Sequence, residues 1–483
     1  MNGLCAADRA GRKGLVIWLV ISLLGATLFL PATGGALSLS DERAIGREML
    51  AMIKARMSLV EDGEVLAYVQ AVGNRIVERL GTTPYQYRFF VINQSVPNAF
   101  AVPGGYIFIY RGLIELMASE GELAGILSHE LGHIQARHYQ RRAEEGMILT
   151  AASIAGILAA ALLGAKGGGA GSQALMMGTI AGAQTAQLKY SRENEEEADQ
   201  LGLRYLTAAG YPAKDMVSVM QRLNQAQWMA NSNIPSYLLT HPALSERVQY
   251  LQDLISKPEY QRPAAKFTTL GDFSVMQAAL VAEYGDPRTA EERWRTGARK
   301  SETAALYGLG RLYLRQGKTA EAMPYLQEAA RQNSASPFVL STLGEAYFKQ
   351  GRFTEAQRAL QTALLLDPAS PVAHYRLALV LKEQGKKEEA LEHLEQIEDL
   401  APSFPDIDMS LGTLYGQVNR MGLAHFYLGR YYLSRSNWEV AVFHYRKARP
   451  LLGDSPQKLD ELDRGLKEAE KRLKEKGNIR IKK

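Results

Sequence analysis

The stretch Ser128-His129-Glu130-Leu131-Gly132-His133 decides how the first half of the chain is interpreted. It contains two histidines four positions apart, with a glutamate directly after the first. On a helix this spacing places both imidazoles on one face, where they can bind the same metal ion. The adjacent glutamate is placed to act on a metal-bound water. The pattern predicts a hydrolytic metal site, provided that the segment is helical and a third ligand lies elsewhere.

The residues around this stretch predict a helix. Ser119 and Glu122 have the spacing of a capping box, and apolar residues follow at helical intervals. His138 lies five positions after His133, off the shared face of an uninterrupted helix, so we predict a surface histidine there. A small sheet is predicted directly before the helix, with strands over residues 87–92, 99–102 and 106–110.

A second predicted helix supplies the candidate third ligand. Glu195 shares a helical face with the small residues Ala198 and Gly202, whereas the glutamates two positions to either side do not. A carboxylate on a buried face needs a partner, and a cation already held by two histidines is one. Asp199, one turn further along, lies near the same face and is placed to orient a ligand histidine.

Composition and the N-terminus indicate an exported protein. The 483 residues predict two or three domains, and the net charge of +5 does not indicate nucleic-acid binding. Residues 1–36 have the basic and apolar regions of a signal peptide; a retained membrane anchor is the alternative. The single cysteine, Cys5, precedes the apolar run, so the mature chain would have no disulfide. We expect a bacterial periplasmic location.

A long apolar segment follows the motif helix. Residues 148–186 contain two apolar runs around a glycine-rich centre, and each run is short for a membrane span. We expect a buried helical hairpin. Peripheral membrane contact, or a cover over the active site, is the alternative for its tip.

Four motifs, in this order along the chain, resemble the HtpX-like and CAAX-prenyl-protease-type zinc metallopeptidases. The resemblance covers roughly residues 40–255 and rests on Asn98-Ala99-Phe100-Ala101 with Pro103-Gly104-Gly105, His129-Glu130-x-x-His133, Ser191-Arg192-x-x-Glu195-x-x-Ala198-Asp199, and His241-Pro242 with Arg247. It implies one Zn²⁺ per chain, with His129, His133 and Glu195 as ligands.

The same resemblance implies roles for the other motif residues. Glu130 would be the general base and Asp199 would orient a ligand. His241 would lie near the metal as a removable fourth ligand, and Arg247 near the substrate; either could stabilise the oxyanion. The strand Asn98, Ala99, Phe100 and Ala101 would be the edge along which an extended substrate lies.

The second half of the chain has a period of 34 residues. Glycines at 317, 351 and 385 keep this step, as do alanines at 322, 356 and 390 and leucines at 326, 360 and 394. This is the tetratricopeptide signature, and such repeats stack into a solenoid whose concave face suits peptides or partner proteins. The histidines of this half, at 374, 393, 425 and 444, show no metal-binding spacing and are predicted to be surface or packing residues.

The predicted fold is mainly α: a zincin-like α+β metallopeptidase domain followed by an α-solenoid. We expect a signal peptide over 1–36, the metallopeptidase domain over 37–262, a linker or degenerate helical pair over 263–300, the repeat array over 301–450, and a charged helix and tail over 451–483.

A zinc peptidase with an export signal and a repeat array resembles periplasmic proteases of outer-membrane quality control. This implies a zinc-dependent endopeptidase acting on unfolded or misassembled outer-membrane β-barrel proteins, with the repeats contacting the barrel-assembly machinery. The alternatives are a periplasmic chaperone or adaptor with little proteolysis, and a membrane-associated peptidase.

Overall fold

The computed structural model describes residues 38–144, 191–229, 237, 241–261, 272–400, 407–453 and 455–481. The predicted signal segment and the apolar segment 148–186 lie outside the described residues. In the described part, no helix is both long enough and apolar enough to cross a membrane. The predicted fold class is confirmed: helices dominate, and three short strands form one small sheet.

The first half combines this sheet with eight helices in its described part. They are α1 (Leu39–Arg56), α2 (Gly63–Val77), β1 (Arg88–Ile92), β2 (Ala99–Val102), β3 (Tyr106–Tyr110), α3 (Arg111–Leu116), α4 (Glu120–Gln135), α5 (His138–Glu144), α6 (Arg192–Ala208), α7 (Ala213–Met229) and α8 (Leu244–Ile255). All three predicted strands are confirmed to within one residue.

The strands lie in the order β1-β3-β2, with β1 parallel and β2 antiparallel to β3. Phe90, Phe108 and Phe100 stand side by side across them, with ring centroids 5.1 and 5.0 Å apart. Such cross-strand aromatic contacts stabilise the pairing. Because β2 lies at an edge, its outer backbone groups have no strand partner among the described residues.

The helix α4 carries the histidine motif through the centre of this half. The Ser119 hydroxyl accepts a hydrogen bond from the Glu122 backbone N–H, as the predicted capping box requires. The Glu122 carboxylate, however, accepts from the Ala118 N–H rather than from that of Ser119, so only half of the box is confirmed. Every residue from Glu120 to Ile134 is buried, which makes α4 the core helix of this half.

The second half is a stack of antiparallel helices. They are α9 (Phe273–Tyr284), α10 (Pro287–Arg299), α11 (Thr303–Arg315), α12 (Thr319–Gln332), α13 (Pro337–Lys349), α14 (Phe353–Leu366), α15 (Pro371–Glu383), α16 (Lys387–Leu400), α17 (Ile407–Gln417), α18 (Met421–Ser434), α19 (Trp438–Ala448) and α20 (Pro456–Ile481). Gly317, Gly351 and Gly385 each have positive φ, +73° to +80°, directly after a helix. Glycine adopts this conformation without steric cost, which explains its return every 34 residues.

The two halves share one hydrophobic core. Buried residues of α2 and α4 belong to the same apolar cluster as buried residues of α9, α11, α12 and α13. The Phe273 ring lies 6.3 Å from that of Tyr68. Across the same boundary, the Arg311 guanidinium bonds to Asp62 and Glu64, and Arg376 bonds to Glu64 at 2.8 Å. The first repeats are therefore packed rigidly on the N-terminal half.

Candidate metal centre

Two imidazoles on α4 face each other at the centre of the N-terminal half. The Nε2 atoms of His129 and His133 lie 3.0 Å apart, and both side chains are buried. Burial, followed by the charges of neighbouring histidines, keeps the pKa of His133 well below its usual value. A neutral imidazole retains the lone pair that a metal ion needs.

Close packing of α6 on α4 brings a carboxylate to these rings. A Cβ at Gly132 would lie 2.6 Å from the Ala198 carbonyl oxygen, so the two backbones touch at this glycine. The Glu195 oxygens then lie 3.5 Å from His133 Nε2 and 3.6 Å from His129 Nε2. Glu195 is fully buried. Burial acts to raise its pKa, but the charges of His241 and Arg247 outweigh this and lower it, so the carboxylate stays ionised.

His241 completes the cluster. Its Nδ1 lies 3.1 Å from Glu195 Oε1 and 3.4 Å from His129 Nε2. The Tyr237 ring stacks on the imidazole at a centroid distance of 4.4 Å. One ligand atom from each of His129, His133, Glu195 and His241 lies within 4.8 Å of the others. Three imidazoles and one carboxylate are a donor set that suits zinc, so the residues fit a bound metal ion.

The carboxylate of Glu130 lies beside His241 of the cluster. It is fully buried, and neither oxygen accepts a hydrogen bond from any described residue. His241 Nε2 lies 3.5 Å from Glu130 Oε1. Burial raises the pKa of Glu130. A buried carboxylate without a donor is costly to maintain, which indicates that a water or substrate group belongs beside it.

Asp199 and Arg247 hold the other side of His129. Asp199 Oδ1 accepts from His129 Nδ1 at 2.9 Å, which leaves Nε2 free to face the cluster. Arg247 donates Nε–H to Asp199 Oδ2 at 2.8 Å and a further N–H to Oδ1 at 2.6 Å; it also bonds to Glu195. Burial acts to raise the pKa of Asp199, but Arg247 and the His129 hydrogen bond hold it at about 2.

The prediction that His138 is a surface residue is wrong. His138 is fully buried, and its Nδ1 lies 2.9 Å from His133 Nδ1. The other nitrogen, Nε2, donates to Glu197 Oε2 at 3.2 Å. The helical phase fails because α4 ends at Gln135 and Arg137 has a φ of +54°, which turns the chain back towards the cluster. No motif in the sequence signals this reversal.

The predicted substrate strand coincides with β2, which packs against α4. Asn98 is buried, and its side-chain oxygen lies 3.0 Å from the Ala99 backbone nitrogen. A small cavity of about 30 Å³ lies between the end of this strand and α4, lined in part by Ala101, His133 and Tyr139. The end of β2 therefore lies close to His133 of the metal cluster.

Comparison with known families agrees with this geometry. The family model of peptidase family M48 matches residues 65–255, which contain all four cluster residues. Residues 65–255 are an M48 peptidase domain. The tetratricopeptide repeat model matches residues 276–337 and 341–405, which confirms the repeats; the first match begins within the segment predicted to be a linker or degenerate pair.

Curated relatives match part of this chain. A putative beta-barrel assembly-enhancing protease from Vibrio cholerae is 29% identical over 313 residues, 64% of this chain and 63% of that protein. The beta-barrel assembly-enhancing protease of Escherichia coli is 28% identical over 302 residues, 61% of each chain. The mitochondrial metalloendopeptidase OMA1 of Schizosaccharomyces pombe is 29% identical over 195 residues, 40% of this chain and 54% of that protein. The matches thus span less than two thirds of each relative.

Proposed function

We propose that the chain is a zinc-dependent endopeptidase of the periplasm that acts on unfolded or misassembled outer-membrane β-barrel proteins. The observation that carries the catalytic part is the buried carboxylate of Glu130, beside a cluster of three histidines and a glutamate. It accepts no hydrogen bond within the part of the chain that the structure describes. A purely structural zinc site has no use for such a group.

In this proposal His129, His133 and Glu195 hold the metal ion. When bound, zinc supplies Lewis acidity towards the scissile carbonyl and lowers the pKa of a coordinated water. Glu130 takes the proton from the attacking water and passes it to the leaving amine. The extended substrate pairs with the free edge of β2, from Asn98 to Ala101.

Asp199 and Arg247 are positioning residues in this mechanism. Asp199 fixes the tautomer and orientation of the His129 ring. The Arg247 guanidinium is engaged by two carboxylates behind the ligands, so we propose that it orients Asp199 and Glu195. This replaces the oxyanion role considered from the sequence.

His241 is proposed to restrain the site. Its Nδ1 lies within ligand reach of the cluster, where it would compete with water for the metal. The restraint would be released when the loop carrying His241 moves. Replacing His241 with alanine should then increase cleavage of an unfolded substrate, and unchanged or lower cleavage would contradict the restraint.

The substrate and partner assignments rest on the relatives and the repeats. Two of the relatives are named as beta-barrel assembly-enhancing proteases, and tetratricopeptide arrays bind proteins or peptides. We propose that the array contacts the barrel-assembly machinery and keeps the peptidase domain beside its substrates.

The test is Glu130→Gln, which keeps the shape of the side chain but removes the base. The variant should retain one zinc per chain and lose cleavage of a misassembled β-barrel protein by a factor of at least about 10². Glu196→Gln is the matched control, because Glu196 is exposed on the same helix as Glu195. Cleavage by Glu130→Gln at the wild-type rate would contradict the catalytic assignment. A wild-type chain that binds zinc and barrel proteins without cleaving them would favour a chaperone or adaptor, the function that the large array alone supports.

A further inference from the structure

Two pairs of histidines join helices of the repeat array through their rings. His374 on α15 and His393 on α16 have their Nδ1 atoms 2.9 Å apart, and His425 on α18 and His444 on α19 show the same 2.9 Å separation. The partners are 19 residues apart in both pairs. The second pair begins 51 residues after the first, which is one and a half 34-residue units. Both pairs therefore occupy equivalent positions of a helical hairpin.

The first pair has a fixed tautomer. His374 Nε2 lies 3.0 Å from the backbone carbonyl oxygen of Pro368. Because a carbonyl oxygen only accepts, Nε2 carries the proton, and a neutral ring then presents a lone pair on Nδ1. Metal-binding histidines are typically oriented in this way, with the second ring nitrogen donating to a backbone carbonyl or a carboxylate. The lone pair of His374 points at the His393 ring.

We propose that His374 and His393 form a binding site for a first-row divalent transition metal such as Ni²⁺ or Zn²⁺, separate from the M48 centre. Metal–nitrogen bonds of about 2.0–2.1 Å place two ligand nitrogens roughly 3.3 Å apart in a tetrahedral site. The rings need to separate by only a few tenths of an ångström from the observed 2.9 Å. The proton between them moves to Nε2 of His393 when the metal binds, so both imidazoles remain neutral.

The surroundings of the pair favour such a ligand set. Burial lowers the pKa of His393, which favours the neutral ring that a metal ligand requires. Glu389 lies one helical turn before His393, and its charge acts on the ring. A bound ion would fasten α15 to α16 and stabilise this part of the array, since it binds only the folded pair.

The second pair is a weaker copy of the first. The rings of His425 and His444 are half-buried, whereas that of His374 is buried, and the position equivalent to Glu389 is Val440. We expect its affinity for the same metal to be lower.

The test compares wild type with His393→Gln. A glutamine amide can still donate to His374 Nδ1 but does not replace an imidazole as a ligand, so the hairpin should fold normally. The full chain, without a histidine tag and with zinc at its M48 centre, is titrated with Ni²⁺ at neutral pH by calorimetry, and bound zinc and nickel are counted by mass spectrometry. His444→Gln is the matched control, because it removes an array histidine from the other pair.

In wild type and in His444→Gln, the first pair should hold one metal ion, either nickel or retained zinc. In His393→Gln, the first pair should hold none. The affinity of the tightest array site should fall at least tenfold in His393→Gln. On adding Ni²⁺, the thermal unfolding of wild type should shift upwards by more than that of His393→Gln. Equal metal counts and equal affinities in wild type and His393→Gln would overturn the proposal, as would a loss confined to His444→Gln.

Discussion

A Cβ added at Gly202 would lie 2.9 Å from the backbone nitrogen of His129 and 3.0 Å from its Cα. The helix that supplies Glu195 therefore rests directly on the backbone of the helix that supplies the histidines. No other residue type fits this contact without moving α6 away from α4.

Gly202→Ala should for this reason weaken metal binding although Gly202 bears no ligand. We expect a loss of about 1–3 kcal/mol in stability from overpacking and at least about tenfold in zinc affinity, measured by competition with a chelator. Gly416→Ala is the control, because a Cβ there would meet only Ala424 at 3.9 Å. Unchanged zinc affinity in Gly202→Ala would show that the helix contact does not set the ligand geometry.

Asp199→Asn should reduce zinc affinity about 10–100-fold by releasing the His129 ring and leaving Arg247 with one carboxylate. The pKa of about 2 also gives a pH dependence. This pKa lies below the value of 3.8 for the unfolded chain, so the ionised carboxylate of Asp199 stabilises the fold above pH 3.8. The stabilisation is lost as the pH falls through about 2. It amounts to about 2 kcal/mol at neutral pH. Asp253→Asn, at an exposed position on α8, should change neither zinc affinity nor stability.

His138→Ala should lower zinc affinity about tenfold, since His133 would lose the partner of its Nδ1. Glu197→Gln should have a smaller effect in the same direction, because Glu197 contacts His138 and not His133 among the hydrogen bonds of the described residues. The double variant should therefore be no worse than His138→Ala alone, and chelator competition on all three variants tests this. Additive losses would mean that Glu197 acts on the site by another route.

Asp408→Asn should stabilise the array near neutral pH. Burial raises the pKa of Asp408 to about 6, against the opposing charge of Arg430. Because the pKa of Asp408 is higher in the folded chain than in the unfolded chain, the protonated carboxyl group stabilises the fold. This contribution is complete below pH 3.8 and is lost as the pH rises through about 6. We expect the variant to gain about 2–3 kcal/mol relative to wild type at neutral pH and nothing at acidic pH, measured by denaturant unfolding. Asp460→Asn, at an exposed position on α20, should gain nothing at either pH.

Much of the cluster could be predicted because it depends on local helical phase. The histidine spacing and the position of Glu195 relative to Ala198 both follow from 3.6 residues per turn. The structure brings these residues together as expected. Their association still required the close contact at Gly132 and Gly202, which periodicity alone does not reveal.

The features that were missed depend on backbone reversals or on contacts between distant segments. Helical phase predicts a surface position for His138 only if the helix is unbroken, whereas Arg137 adopts a left-handed conformation. The pairing of His374 with His393 depends on two helices folding back on each other, so no spacing rule within one helix detects it. The ion pair between Arg311 and Asp62 joins residues 249 positions apart.

The hydrophobic core shared by α2, α11 and α13 fixes the position of the repeat array relative to the peptidase domain. A flexible linker would let a captured protein present any of its segments to Glu130. A rigid junction instead sets a constant separation between the place of capture and the place of cleavage. We therefore expect cut sites to be selected by their distance along the substrate from its bound segment, so that a shorter unfolded stretch escapes cleavage whatever its sequence.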